Sequence, residues 1–239
     1  MYLDSEIFNW PYDYDSQTGF SEDFVYRAHE IWRHAKNCIA DDPTEFDRVD
    51  CISSLRRAIN HRLKSIASGY RFDDLPSLRP KRQTLEKLQD YGIVRPALIK
   101  DLLEVRNLIE HEDAEPPPAE RCSYYVDIVW YFLKSTDSLV TMYIDVLTYQ
   151  EDGENSSLDL KVCPEKSWTI EVRGRVRTEL IQAEQEPMAA ELKNLVSKKI
   201  RGRPGLVNIT ASLVTTEALL TKIAREYFGA AGYWYDDHV

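Results

Sequence analysis

The apolar residues of this chain change their period near residue 150, and that change constrains the fold more than any single motif does. Before it, apolar residues recur at steps of three and four. Phe24, Ala28, Ile31 and Ala35 predict a helix over residues 22–39, capped by Ser21. Phe46, Val49, Ile52, Leu55, Ile59, Leu63 and Ile66 predict a second, opened by Asp42-Pro43 and closed by Gly69. A short helix over about 83–91 ends at Gly92. From Pro96, Leu98, Leu102, Val105 and Ile109 mark a helix that Pro116-Pro117-Pro118 must stop, because proline lacks the N–H and its ring clashes with the preceding turn. Tyr125, Ile128, Phe132, Thr136, Leu139, Tyr143 and Val146 then predict one long amphipathic helix from Ala119.

Residues 150–158 are polar and loop-like. Beyond them, residues 159–163 and 168–176 alternate and are rich in Val and Ile, as strands are. Glu184 to Ile200 reads as a helix on Met188, Leu192, Leu195 and Val196, and residues 206–213 as a strand. A final helix capped by Thr215 or Thr216 carries Leu219, Leu220, Ile223 and Tyr227. The expected fold is therefore α+β. An irregular arm over 1–20 lays Phe8, Trp10, Tyr12 and Tyr14 on the body. An N-terminal all-α bundle of four to five helices covers 21–149, and a small α+β domain covers 159–239.

Charge follows the same division. The formal net charge is −10, and all of it lies in residues 1–152, which hold 28 acidic and 18 basic side chains; the remaining residues hold 12 of each. Phosphate affinity comes mostly from Lys and Arg, so a general polyanion binder is excluded. With 43% hydrophobic residues, whole-chain disorder is excluded too. The first ten residues lack a basic region followed by an apolar run, and no stretch is apolar enough to span a bilayer, so the expectation is a cytoplasmic protein without a membrane partner. Cys38, Cys51, Cys122 and Cys163 form no C-x-x-C pair and read as small hydrophobes. No phosphate loop, dinucleotide-binding glycine fingerprint, HExxH or EF-hand loop occurs, so neither cofactor nor metal is expected.

One segment concentrates chemistry. On a helical wheel Glu104, Asn107 and His111 fall together, nearly opposite the stripe of Leu98, Leu102, Val105 and Ile109. Arg106 lies on its flank, where the stem is covered and the guanidinium reaches out. An imidazole titrates near neutral pH and suits proton transfer; a guanidinium matches phosphate oxygens in pairs. By spacing alone the favoured reading is the plainer one, an Arg106–Glu110 helix ion pair and a His111 favoured by the negative end of the helix.

Arg106-Asn107-Leu108-Ile109-Glu110-His111 resembles the signature of the HEPN superfamily: Arg, a polar residue, a few more positions, then His. Two long helices before it, the proline break and the long Tyr/Trp-rich helix after it fit the same pattern, over roughly residues 20–148. The resemblance implies a homodimer whose two motifs share a cleft, and a metal-independent endoribonuclease of the toxin–antitoxin or anti-phage defence kind. RNA would be its substrate, and an antitoxin or defence protein a possible partner. Carried over, Arg106 holds the scissile phosphate, His111 is the general acid/base and Asn107 orients the pair. Other members are non-catalytic interaction modules, which the resemblance accommodates as an alternative, with a nucleotide or partner protein at the same cleft.

Supporting positions are Glu104, Glu110, Arg57 and His61, the last two four apart on the second helix. His29 and His34 read as surface or packing residues. Tyr124, Tyr125, Trp130, Tyr131 and Phe132 encircle the fourth long helix and predict a core face plus a dimer face. Arg173, Arg175 and Arg177 share one face of a strand, and Lys198, Lys199, Arg201 and Arg203 follow a helix; both clusters are candidate RNA- or partner-binding groups, or simply balanced surface charge.

Overall fold

The structure is a computed structural model and describes residues 1–18, 22–76, 84–112, 114–151, 153, 156–183 and 190–230. It forms two compact units. One is built from residues 18–72 and 84–142, the other from residues 1–17, 73–76 and 143–230.

The helical unit contains α1 (Glu22–Cys38), α2 (Glu45–Tyr70), α3 (Thr84–Asp90), α4 (Ala97–Glu112), α5 (Ala119–Ser135) and the short α6 (Asp137–Thr141). Its core joins Ala28 and Ala35 of α1, Ile52, Leu55 and Ile59 of α2, Ile99 and Leu102 of α4, and Tyr125, Val129, Phe132 and Leu133 of α5. Among the expected stripe residues, Phe46 (83%) and Leu98 (51%) are exposed. At the start of α4 Ile99 is buried in place of Leu98, while Leu102 is buried and Val105 and Ile109 pack on the core as the stripe predicts. Thr44, not Asp42, starts α2. Its hydroxyl accepts from the Asp47 N–H at 3.3 Å while Asp47 accepts from the Thr44 N–H at 2.9 Å, a reciprocal cap. Gly69 stays helical, and the left-handed residue that ends α2 is Arg71 (φ 46°).

Arg62 is fully buried in this unit and ties three elements together. Its guanidinium donates to the Leu133 carbonyl (3.1 Å), Thr136 Oγ1 (3.2 Å), the Val25 carbonyl (3.4 Å) and Asp137 (2.9 Å). Asp137 also meets His29 at 2.7 Å. Burial works against its charge, but the hydrogen bonds from His29 and Arg62 outweigh it and hold the carboxyl at about 2.

The other unit is an eight-stranded sheet: β1 (Tyr2–Leu3), β2 (Tyr12–Thr18), β3 (Met142–Gln150), β4 (Ser157–Cys163), β5 (Thr169–Arg177), β6 (Ile181–Gln182), β7 (Ala190–Lys199) and β8 (Leu206–Val214), followed by α7 (Glu217–Ala230). The order across the sheet is β2-β3-β4-β5-β8-β7-β1-β6. The β3–β4, β4–β5, β5–β8, β7–β8, β1–β7 and β1–β6 pairs are antiparallel. Thr216 Oγ1 caps α7 by accepting from the Leu219 N–H.

This corrects the expected fold class. The chain does not begin with an all-α bundle: strands start at residue 2, and β1 and β2 place the supposed irregular arm in the sheet, with Phe8 and Trp10 buried. The long helix expected from Ala119 ends at Ser135, because Thr136 and Asp137 turn inward to Arg62. Tyr143 and Val146 then lie on β3. The helix expected over 184–200 is, in its described part, β7. Its alternating inward Ala190 and Leu192 pair with Leu3 of β1 and Leu213 of β8, and Asn194 (φ 54°) absorbs a register shift between Lys193 and Val196. Cross-strand pairing overrides a local pattern that reads as helix. Ser21 as a cap, residues 77–82 of a loop expected over 70–82, Gln83 at the start of the short expected helix, residues 152 and 154–155 of the polar connection and residues 184–189 with Met188 lie outside the described residues.

Within the sheet unit, the Tyr149 hydroxyl donates to Glu226 of α7, and the Tyr227 hydroxyl accepts from the Ile144 N–H at 3.1 Å. Burial raises the Glu226 carboxyl above its usual range, against the lowering effect of the Tyr149 bond. Tyr149→Phe removes the hydroxyl that donates to this part-buried carboxyl, leaving Lys222 as its partner, and is expected to cost about 1–3 kcal/mol, read as a shift in the urea midpoint at pH 7. An unchanged midpoint contradicts the assignment.

Candidate functional site

The Arg106–His111 segment occupies the last turns of α4. The helix end is closed by the Ala114 N–H bonding to the Leu108 carbonyl at 3.3 Å, just before the proline run. Buried Ile99 and Leu102, with part-buried Val105 and Ile109, hold one side of α4 on the core. Tyr125 fixes it further: its hydroxyl donates to Asp101 at 2.8 Å and accepts from Arg121 Nε at 2.9 Å. Glu104, Asn107, Glu110 and His111 are left exposed, while the Arg106 side chain is only 18% exposed.

Arg106 has three neighbours that matter. It forms an ion pair with Glu110, four residues on, and its Nη1 donates to Asn107 Oδ1 at 3.2 Å. The third neighbour is Arg56 of α2. Desolvation, then the Arg56 charge, lower the Arg106 pKa from its ordinary value. Arg106 Nε and Arg56 Nη1 are shielded from solvent and donate to no group among the described residues. Two guanidinium groups with unused, shielded donors repel one another and would be relieved by an anion.

Arg56 was not among the expected site residues. Arg57 is exposed and His61 half-buried. Only the roll of α2 against α4 selects Arg56 over its neighbour, and no sequence spacing reports that roll.

The basic residues of the sheet unit separate into three groups. Arg173 and Arg175 line a groove of about 430 Å³ with Ser157, Asp159, Lys198, Asn208 and Thr210. The registers explain it: Asp159, Arg173, Thr210 and Val196 form one row across β4, β5, β8 and β7, and Ser157, Arg175, Asn208 and Lys198 the next. Gly174 lies between the arginines on the opposite face, where a Cβ would stand 2.2 Å from the Ser157 carbonyl oxygen; β4 and β5 need glycine there to approach. Arg177 does not join the groove lining. It is engaged by Glu151 at 2.6 Å, Glu6 at 3.5 Å and Glu179, and these carboxylates raise its pKa against the effect of burial. Lys199 alternates to the other face, and Arg201 and Arg203 are exposed on the turn between β7 and β8, which needs left-handed Gly202 and Gly205.

A second cluster in the helical unit brings together His34 and Cys38 of α1 and Asp50 of α2. Burial, then the hydrogen bond and charge of Asp50, push the Cys38 thiol up to about 11. Sequence reasoning passed over it because Asp50 comes from another helix.

Comparison with protein-family models, characterised proteins and solved structures finds no match to this chain. Among the described residues no helix is long and apolar enough to cross a membrane.

Proposed function

We propose that the chain is an endoribonuclease of the HEPN type, working as a homodimer, whose reaction centre is the exposed end of α4. The observation that carries this reading is the approach of Arg106 to Arg56, two guanidinium groups with shielded donors for a phosphate, on the same helix end that carries the exposed His111, a side chain able to move a proton. In the reaction, His111 of one copy takes the proton of the RNA 2′-hydroxyl as its oxygen bonds to phosphorus. The P–O5′ bond breaks, and the leaving 5′-oxygen receives a proton from an imidazolium, which the second copy's motif supplies. Products carry a 2′,3′-cyclic phosphate and a 5′-hydroxyl. Arg106 and Arg56 neutralise the phosphate, and Asn107 holds Arg106 in line. Exposed Leu98 and Leu108 on α4, with Tyr124, Trp130 and Tyr131 on α5, support a second copy as the cover for this surface.

The test is cleavage of single-stranded RNA in magnesium-free buffer, with the new ends identified chemically. Cyclic-phosphate ends that disappear with Arg106→Ala and His111→Ala are the expected result; equal activity in all three proteins contradicts the roles. One observation favours a second reading. The Arg106–Glu110 ion pair already occupies the guanidinium, as in a module that binds a nucleotide or partner without cleaving RNA. RNA binding without new ends, in wild type and both variants, selects that reading.

The sheet groove supports a substrate-holding role, with Arg173, Arg175 and Lys198 set against the single acid Asp159. Arg173→Gln with Lys198→Gln is expected to weaken binding of a short single-stranded RNA about tenfold or more. It should also lower the slope of log affinity against log salt by roughly 0.7 for each phosphate that is no longer neutralised. Fluorescence anisotropy across a salt series reads both, and an unchanged slope removes the groove from the reading.

A further inference from the structure

The Arg106 region uses the end of α4. The end of α1 and the second turn of α2 carry a separate cluster, and its geometry is that of a metal-ligand set. His34 and Cys38 lie four apart on α1, so both face Asp50 on α2. Three different donor atoms meet there: His34 Nε2 stands 3.6 Å from Cys38 Sγ and 2.8 Å from Asp50 Oδ2, and Cys38 Sγ stands 3.4 Å from the same oxygen.

These lengths can be compared with a coordination sphere. Tetrahedral zinc with bonds of about 2.0–2.1 Å to nitrogen, 2.3 Å to sulfur and 2.0–2.2 Å to oxygen sets its ligands about 3.3–3.6 Å apart. Two sides of the triangle already have that length. The third, His34 to Asp50, must open by about 0.5 Å as the ion replaces the hydrogen bond.

We infer that His34, Cys38 and Asp50 form a binding site for a divalent transition metal of the zinc class, with water at the fourth corner. The donor set of imidazole, thiolate and carboxylate selects zinc-class ions over magnesium and calcium, which prefer oxygen alone. The Ser54 hydroxyl donates to the other carboxylate oxygen of Asp50 at 3.3 Å, the outer-shell contact that orients a ligating carboxylate. His34 and Asp50 are each more than half exposed, so an ion reaches the site from solvent. Binding displaces the thiol proton of Cys38 to solvent and leaves the oxidation states unchanged. The bound ion clips the end of α1 to the first turns of α2, across a turn in which Asp41 and Asp42 hold left-handed φ of 53° and 59°.

The experiment uses the full chain, stripped with a chelator and desalted, then titrated with Co²⁺ as an optical probe. The expected result is one equivalent bound with a thiolate-to-cobalt charge-transfer band, displaced by Zn²⁺ at equal concentration. Cys38→Ser abolishes the band, and His34→Gln and Ser54→Ala each weaken binding about tenfold or more. His34 is exposed, so His34→Gln keeps the test decisive even if Cys38→Ser misfolds; far-ultraviolet circular dichroism checks each variant. Absence of the band in wild type overturns the site. So does a band of equal strength and affinity in folded Cys38→Ser or His34→Gln.

Discussion

Replacing His111 with alanine is expected to lower RNA cleavage about 10²–10⁴-fold, the usual contribution of a positioned acid/base group. In the proposed reaction the loss falls on kcat, because His111 would contribute while a proton is in flight, whereas the guanidinium pair would hold ground-state RNA. Arg106→Lys separates the roles further. It keeps the charge beside Arg56 but loses the fork that donates to two phosphate oxygens and the bond to Asn107, so affinity should survive better than turnover. Single-turnover cleavage at saturating RNA, with anisotropy for binding, reads the two effects apart. A His111→Ala variant with an unchanged single-turnover rate removes the imidazole from the proposed reaction.

Arg62→Ala is expected to destabilise the helical unit by about 3–5 kcal/mol, the range for breaking a buried ion pair from one side. The side chain is fully buried and satisfies the carbonyls of Leu133 and Val25, Thr136 Oγ1 and Asp137 together. Truncation leaves these acceptors without the donor and opens a cavity between α1, α2 and α5. Asp137 adds a dependence on pH. Its folded-state pKa is depressed to about 2 from the ordinary 3.8, so its contribution of about 2 kcal/mol is present above pH 4 and is lost as pH falls through about 2. Urea unfolding at pH 7 and at pH 2–4 measures both. Wild type should lose stability across that acid window, and Arg62→Ala should lose less, because the Arg62 share of the shift is gone while the His29 bond remains. A variant as stable as wild type at pH 7 contradicts the anchoring role.

The helical half was legible because a one-sided helix advertises its buried face every three to four residues. Ile52, Leu55, Ile59, Leu102 and Phe132 lie where the stripes put them. Failures came where a neighbour decides. Thr136 and Asp137 end α5 because a buried arginine from α2 collects them. Residues 190–199 become a strand because β8 offers paired hydrogen bonds on one side and β1 on the other. At the α4 site, the Arg106–Glu110 pair and the exposure of Asn107 and His111 follow from spacing within one helix, whereas Arg56 arrives from another.

Sequence by itself determined which segments are helical between residues 22 and 135, where proline ends α4, and which polar groups share its outer turns, because local periodicity and backbone chemistry suffice for these. Tertiary structure decided that the first residues belong to the sheet and that Arg177 is taken up by three carboxylates while Arg173 and Arg175 line a groove. It also decided that Arg56 stands behind Arg106 and that Asp50 completes His34 and Cys38. Each of these joins residues far apart in the chain, and contacts of that kind depend on packing and register, which no local window of sequence contains.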